Sequence, residues 1–191
     1  VPLQTKHNLP FFIRNSFNDS DDYYVQFRGD NNGDGTGTYV EIAKPGIAHS
    51  FLTDSMPHGM LRLSQTRLDA DGDLIVTFLV ASFKWASRQA GDDNTNPRPS
   101  FAPEEGATFG RPINNLTFFR NRFIALTDEN VVASVAGDFF NFWGKTALTV
   151  APSGPIDLQV SNSFPSVLYG AVATTSGLVM FSENAQFMLG T

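Results

Sequence analysis

Residues 30–41 read Asp30-Asn31-Asn32-Gly33-Asp34-Gly35-Thr36-Gly37-Thr38-Tyr39-Val40-Glu41. The string satisfies the calcium-loop pattern D-x-[DN]-x-[DN]-G-x5-E, with oxygen ligands Asp30, Asn32, Asp34 and Glu41 at its first, third, fifth and twelfth places. A hard cation such as Ca²⁺ takes several oxygens, and Gly35 permits the sharp bend that wraps them around it. Helices flank the loop in an EF-hand. Here the neighbours are YYVQF (23–27) and YVEI (39–42), which alternate and read as strands. A polar hairpin loop therefore stands against the calcium reading, and on a strand the direction of Glu41 is set by the pleat.

Other reactive residue types are scattered. His7, His49 and His58 show no metal-ligand spacing, and neither G-x-S-x-G nor H-E-x-x-H occurs. Glu104-Glu105, Asp128-Glu129 and Glu183 offer carboxylates for glycoside hydrolysis, which needs two acids set across a sugar bond. Solvated turn charges are the plainer reading. A polysaccharide- or cell-wall-degrading depolymerase, or a calcium-dependent carbohydrate-binding propeller module, is the alternative these residues keep open. Trp85 and Trp143 read as core anchors, and no cofactor is expected.

The elements that must position these residues are strands. Residues 116–143 hold four short apolar runs, 116–119, 123–126, 131–135 and 139–143. Each is rich in β-branched or aromatic residues, and Asn, Asp, Glu, Thr, Gly or Arg separates them. Runs of this length with such breaks predict an antiparallel meander, the unit of a β-propeller blade. Further strands are expected at 11–13, 23–27, 39–42, 61–63, 155–160, 167–173, 177–181 and 185–189, with a polar turn at 15–22. The continuous apolar run LIVTFLVA (74–81) suits either a buried strand or a helix turn, and its β-branching and preceding Asp-Gly favour strand. An internal repeat supports blades: FIALT then ENVV (123–132) resembles LVMFS then ENAQ (178–186), an offset of roughly 54 residues. The fold expected is all-β, with antiparallel meander units, partial propeller blades and a small inserted β domain. Residues 1–86 form that small domain, 87–115 a Pro/Gly-rich loop or linker, and 116–191 the blades.

The 191 residues carry a net charge of −6 and no Cys, so disulfides and thiolate metal sites are ruled out. That balance argues against a surface gripping nucleic-acid phosphates, yet it suits an acidic wall along which a duplex slides. No apolar run reaches the length of a membrane span, no basic-then-apolar leader opens the chain, and it reads as a piece of something longer. Eighteen Phe predict a Phe-packed core. In the long loop, Asn96, Pro97, Arg98 and Pro99 are candidate interface residues, because proline lowers the entropy lost when a loop holds one shape against a partner. Arg120 and Arg122 are further candidates, suited to acidic groups of a neighbouring subunit.

Several strings together resemble the tail tubular protein B (nozzle) family of short-tailed phages. They are DDNTNPRPSF (92–101), FFRNRF (118–123), ENVV (129–132), FFNFW (139–143), PID (155–157) and FSENAQF (181–187), with MPH (56–58) and YYV (23–25) upstream. The resemblance runs in order along most of the chain and is strongest from Trp85 onward. It implies a non-enzymatic structural part of the virion tail, made in the host bacterial cytoplasm. It further implies a homo-oligomer, a hexameric ring with propeller domains, meeting the tail adaptor (tail tubular protein A) and tail fibre. DNA would pass through its channel without sequence recognition.

Overall fold

The computed structural model describes residues 1–14, 22–63, 67–104 and 106–190. The expected turn at 15–22 lies outside them except for Asp22. Fourteen strands and two single-turn 3₁₀ helices are present among the described residues, so the all-β expectation holds, and every ladder between strands is antiparallel. No helix is long and apolar enough to cross a membrane.

The first sheet has the order β1 (Pro10–Ile13), β2 (Tyr23–Gly29), β3 (Gly37–Ile42). Its buried face is built on Phe27, fully enclosed, with Tyr39 edge-on to both Phe27 and Phe11. Gly29 and Gly37 face each other where the hairpin closes. A Cβ on Gly37 would collide with the carbonyl of Arg28, and one on Gly29 with that of Gly33, so only glycine fits this register. Asn31 and Asn32 take the left-handed conformation at φ 54° and 60°, which Asn tolerates.

A ribbon follows. β4 (His58–Arg62) pairs with β7 (Phe78–Ser82), and the shorter β5 (Arg67–Leu68) with β6 (Leu74–Ile75). The apolar run 74–81 is thus strand, but divided between β6 and β7 by Val76 and Thr77, and most of its side chains are exposed rather than buried. The strand expected at 61–63 begins earlier, at His58.

The centre of the molecule is a four-stranded meander, β8 (Ile113–Phe119), β9 (Arg122–Thr127), β10 (Asn130–Ala133) and β11 (Ile156–Gln159), adjacent in chain order. Arg120 and Asn121 both have positive φ, the signature of a tight hairpin turn whose twist matches the strands. Every residue of β9 is buried. Successive side chains on a strand point to opposite faces, and here they feed two separate cores. Phe123 and Ala125 join Val132, Met56, Phe101, Ala102 and Phe142. Ile124 and Leu126 join Val131, Ala133, Leu168, Leu178 and Met180. The second core is closed by the sheet of β12 (Gly170–Ala173), β13 (Leu178–Phe181) and β14 (Gln186–Leu189).

Two expectations change. FFNFW is not the fourth strand of the meander; it runs through turns and carries rings into the first core. Phe142 meets Phe101 at 5.2 Å and Phe123 at 6.3 Å, while Phe140 stacks on Phe83 at 4.5 Å. The fourth strand is instead β11, grouped in the sequence with the second strand set; its backbone completes the ladder of β10, Val132 opposite Asp157. The two halves of the internal repeat are each a hairpin, β9–β10 and β13–β14.

Because the FFNFW rings serve packing and not a ladder, Phe142→Ala should cost about 3–5 kcal/mol and Leu126→Ala about 2–5 kcal/mol. Urea denaturation measures both, and an unchanged midpoint for Phe142→Ala would contradict the placement of the first core.

Candidate functional site

The segment 87–115 has no ladder of its own up to Ile113, so its backbone groups need other partners. Side chains supply them. Asn96 is buried; its Nδ2 donates to the carbonyls of Ala90 (2.9 Å) and Gly144 (3.0 Å), and its Oδ1 accepts from the Gly144 amide (2.8 Å). Asp92 caps the preceding turn, accepting from the amides of Asn94 and Thr95 and from the Thr95 hydroxyl. Burial works to raise the Asp92 pKa, but these three hydrogen bonds and the Lys44 charge outweigh it and hold the carboxyl below its ordinary value. Arg88 is enclosed, pairs with Asp93 at 2.6 Å and lies over the Trp143 ring at 4.4 Å, with Phe51 stacked on that ring at 4.8 Å.

A second cluster joins distant strings. Asp157 accepts from the amide and hydroxyl of Ser100, both at 2.6 Å, and from Asn130 Nδ2 at 2.9 Å. Glu129 accepts from the Ser166 amide at 2.6 Å and Gln159 Nε2 at 2.9 Å; the Ser166 bond first, then that of Gln159, lowers its pKa against the opposing effect of desolvation. Ser100, Asn130 and Asp157 come from DDNTNPRPSF, ENVV and PID, so three of the strings that carry the family resemblance meet at one point.

Arg122 is buried inside its own chain. Its Nη1 donates to the carbonyls of Ser134 (2.6 Å) and Gly154 (2.5 Å), and its Nη2 to that of Pro152 (2.7 Å). Burial lowers its pKa, but a guanidinium keeps its charge in proteins. The structure therefore turns Arg122 from a neighbouring subunit to the excursion 134–155 between β10 and β11. Among the other interface candidates, Asn96 and Pro99 are buried and Arg98 is half-buried, donating to the Pro103 carbonyl and lying 3.7 Å from Asp93. Pro97 and Arg120 are exposed, with the Arg120 guanidinium 5.4 Å from the Phe119 ring. Pro97, Arg98 and Pro99 line a groove of about 690 Å³ together with Lys145, Leu148 and Asp157.

Three of the four calcium-pattern residues have separate partners. Asp30 Oδ2 accepts from the Thr36 hydroxyl and Asp34 Oδ1 from the His7 amide. Glu41 reaches across to the loop after FFNFW, accepting from Thr146 Oγ1 at 2.6 Å and the Ala147 amide at 2.7 Å. Asn32 is exposed at its left-handed turn position. Among the described residues no group of three or more acidic, His or Cys side chains is placed to hold a metal. Of the carboxylates weighed for hydrolysis, Glu104 and Glu183 are exposed, Glu129 is engaged as above, and Glu105 lies outside the described residues. Sequence reasoning missed Glu41 as a long-range brace and Arg122 as a carbonyl clamp; the Arg beside a turn was the one visible signal.

The family model for the bacteriophage nozzle protein matches residues 1–191. The chain is also similar to the tail tubular protein gp12 of Escherichia phage T7, with 31% identity over 170 residues, covering 89% of this chain and 19% of that protein. The chain thus spans about a fifth of the length of the curated relative it matches. Neither the depolymerase nor the calcium-lectin reading finds support in these similarities.

Arg122→Lys should destabilise the fold by about 1.5–3 kcal/mol, since one ammonium cannot serve three diverging carbonyls; denaturant midpoints measure it. Asp92 and Glu129, with pKa values lowered in the folded state, contribute stability that is fully present above about pH 4, the unfolded carboxyl range. It is lost as pH falls through their folded values. Asp92→Asn should flatten that acid limb in melts taken from pH 6 to 2, and an unaltered limb would remove Asp92 from the account. Calorimetry with millimolar Ca²⁺ should give no heat, because Glu41 already caps the 146–147 turn; heat that disappears in Asp34→Asn would establish a site.

Proposed function

The chain belongs to the bacteriophage nozzle protein family, and from that premise we propose that it builds part of the wall of a phage tail nozzle through which DNA leaves the virion. The observation that carries the reading is the convergence of the family-like strings on internal braces. Ser100, Asn130 and Asp157 bind one another, and Asn96 locks the long loop to Gly144. Polar residues used this way hold loops in fixed shape, which is what a wall needs and what a reaction does not require. The net charge of −6 also suits a conduit that a duplex slides past without sequence recognition.

On this reading the β8–β11 meander and the β12–β14 sheet are propeller blades spanning 116–191, and residues 1–86 form a smaller β domain joined through 87–115. Six copies form a ring in the virion tail, assembled from protein made in the bacterial cytoplasm, with the tail adaptor and tail fibre as partners. Exposed Pro97 and the groove beside Arg98 belong to the surface facing those partners, and exposed Arg120 to the surface facing a neighbouring copy. No catalytic step is assigned to the chain.

Negative-stain electron microscopy of the full-length protein, alone and mixed with its adaptor, tests this. Sixfold rings with a central hole are expected. Single copies in both samples would overturn the nozzle reading.

A further inference from the structure

The sheets β8–β10 and β12–β14 are two copies of one unit in the same register. Leu126 pairs with Asn115 and with Val131; Phe181 pairs with Gly170 and with Gln186, every residue 55 positions on. The units also stack front to back. The face of β9 that carries Ile124 and Leu126 meets the face of β13 that carries Leu178 and Met180. Those two are the counterparts of Phe123 and Ala125, which lie in the other core. A register and a packing face that both repeat make the second unit equivalent to the first, strand by strand, as in architectures built from stacked repeats.

The equivalence breaks at one place. β10 is paired on both sides, with β9 and with β11, whereas β14 pairs only with β13 among the described strands. The Val160 amide donates to the Glu129 carbonyl at 2.9 Å, which by alternation turns the backbone groups of Val131 and Ala133 toward β11. In the second unit the Ser182 amide donates to the Ala185 carbonyl at 2.9 Å, so Phe187 and Leu189 bond to β13. Gln186 and Met188, the counterparts of Val131 and Ala133, therefore aim their amides and carbonyls away from β13, along an open edge. Such an edge is a template for another strand, and QFML carries neither the charge nor the proline that blunts a free edge.

We propose that β14 takes a fourth strand from further along the same polypeptide, standing antiparallel on it as β11 stands on β10. The occupant follows from the first unit, whose fourth strand returns to β10 in its own chain after the excursion 134–155. The T7 relative, of which the match covers 19%, has length to spare for such a strand. The inference rests on the blade reading given above and supplies the strand that the second blade lacks among the described residues.

The test is residue-resolved amide exchange on the full-length protein, joined to a photo-cross-linker at the same edge, Met188→p-benzoylphenylalanine. Gln186 and Met188 should exchange within about tenfold of Phe187 and Leu189. The photo-product should run at the mass of one chain on a denaturing gel and map, by peptide mass, to a segment beyond Thr191. Exchange of Gln186 and Met188 at the rate of an open amide, or no photo-product, overturns the fourth strand. A photo-product at twice the mass places a neighbouring copy on the edge, and one mapping anywhere else in the chain places another segment there; either overturns the assignment. Microscopy keeps the two readings apart. Rings with an open edge leave the nozzle reading standing, and a protected edge on protein found only as single copies leaves the strand standing without it.

Discussion

The structure depends on β9 being buried along its whole length. A strand in that position has two apolar faces, and each must meet a different layer. Phe123 and Ala125 face irregular chain from 101–102 and 142, whereas Ile124 and Leu126 face Leu168 and the β12–β14 sheet. A shift of register by one residue would exchange Phe123 for Ile124 and send a ring into a core shaped for aliphatic groups. The type of hairpin at Arg120-Asn121, the excursion after Ala133 and the return of β11 all follow from keeping that register.

Irregular chain makes up much of what covers the first core, and it is held by side-chain bonds to backbone. Asn96, Arg122, Asp157, Glu129 and Glu41 each satisfy two or more groups on a segment far away in sequence. Backbone without a ladder still has to pair its amides and carbonyls when buried. Charged side chains make the stronger of such bonds, and an Arg fork addresses several carbonyls at once. Arg88 is the costly member: its Nε and Nη1 have no hydrogen-bond partner, and the Trp143 face and Asp93 offset part of that.

The same logic accounts for the character of the surface. Side chains engaged as internal braces are held in place by those bonds, and a net charge of −6 argues against a surface that grips a nucleic-acid backbone. The exposed apolar side chains include Met60, Phe78 and Val80 of the ribbon and Leu116 and Phe118 of β8.

Strands and turns could be read from the chain because their cause is local. Alternation, β-branching and Asn, Asp or Gly at breaks located β2, β3, β9, β10, β13 and β14 to within a few residues, and the repeated hairpin could be seen as a repeat. Two local patterns misled. FFNFW has every mark of a strand, but its rings gain more by packing with Phe101 and Phe123 than its backbone would on a sheet edge. LIVTFLVA looks like buried chain, and only the pairing of β4 with β7 shows it bare on both sides. The sites were harder to read. Arg122, Asn96 and Glu41 are polar residues whose partners lie 6 to 106 positions away. By itself, then, the sequence determined the all-β class, the hairpins, the acidic balance and the family. The tertiary structure decided which strand completes the meander, which face each ring enters and which polar groups brace and which remain free, because those outcomes depend on contacts between segments that no local pattern encodes.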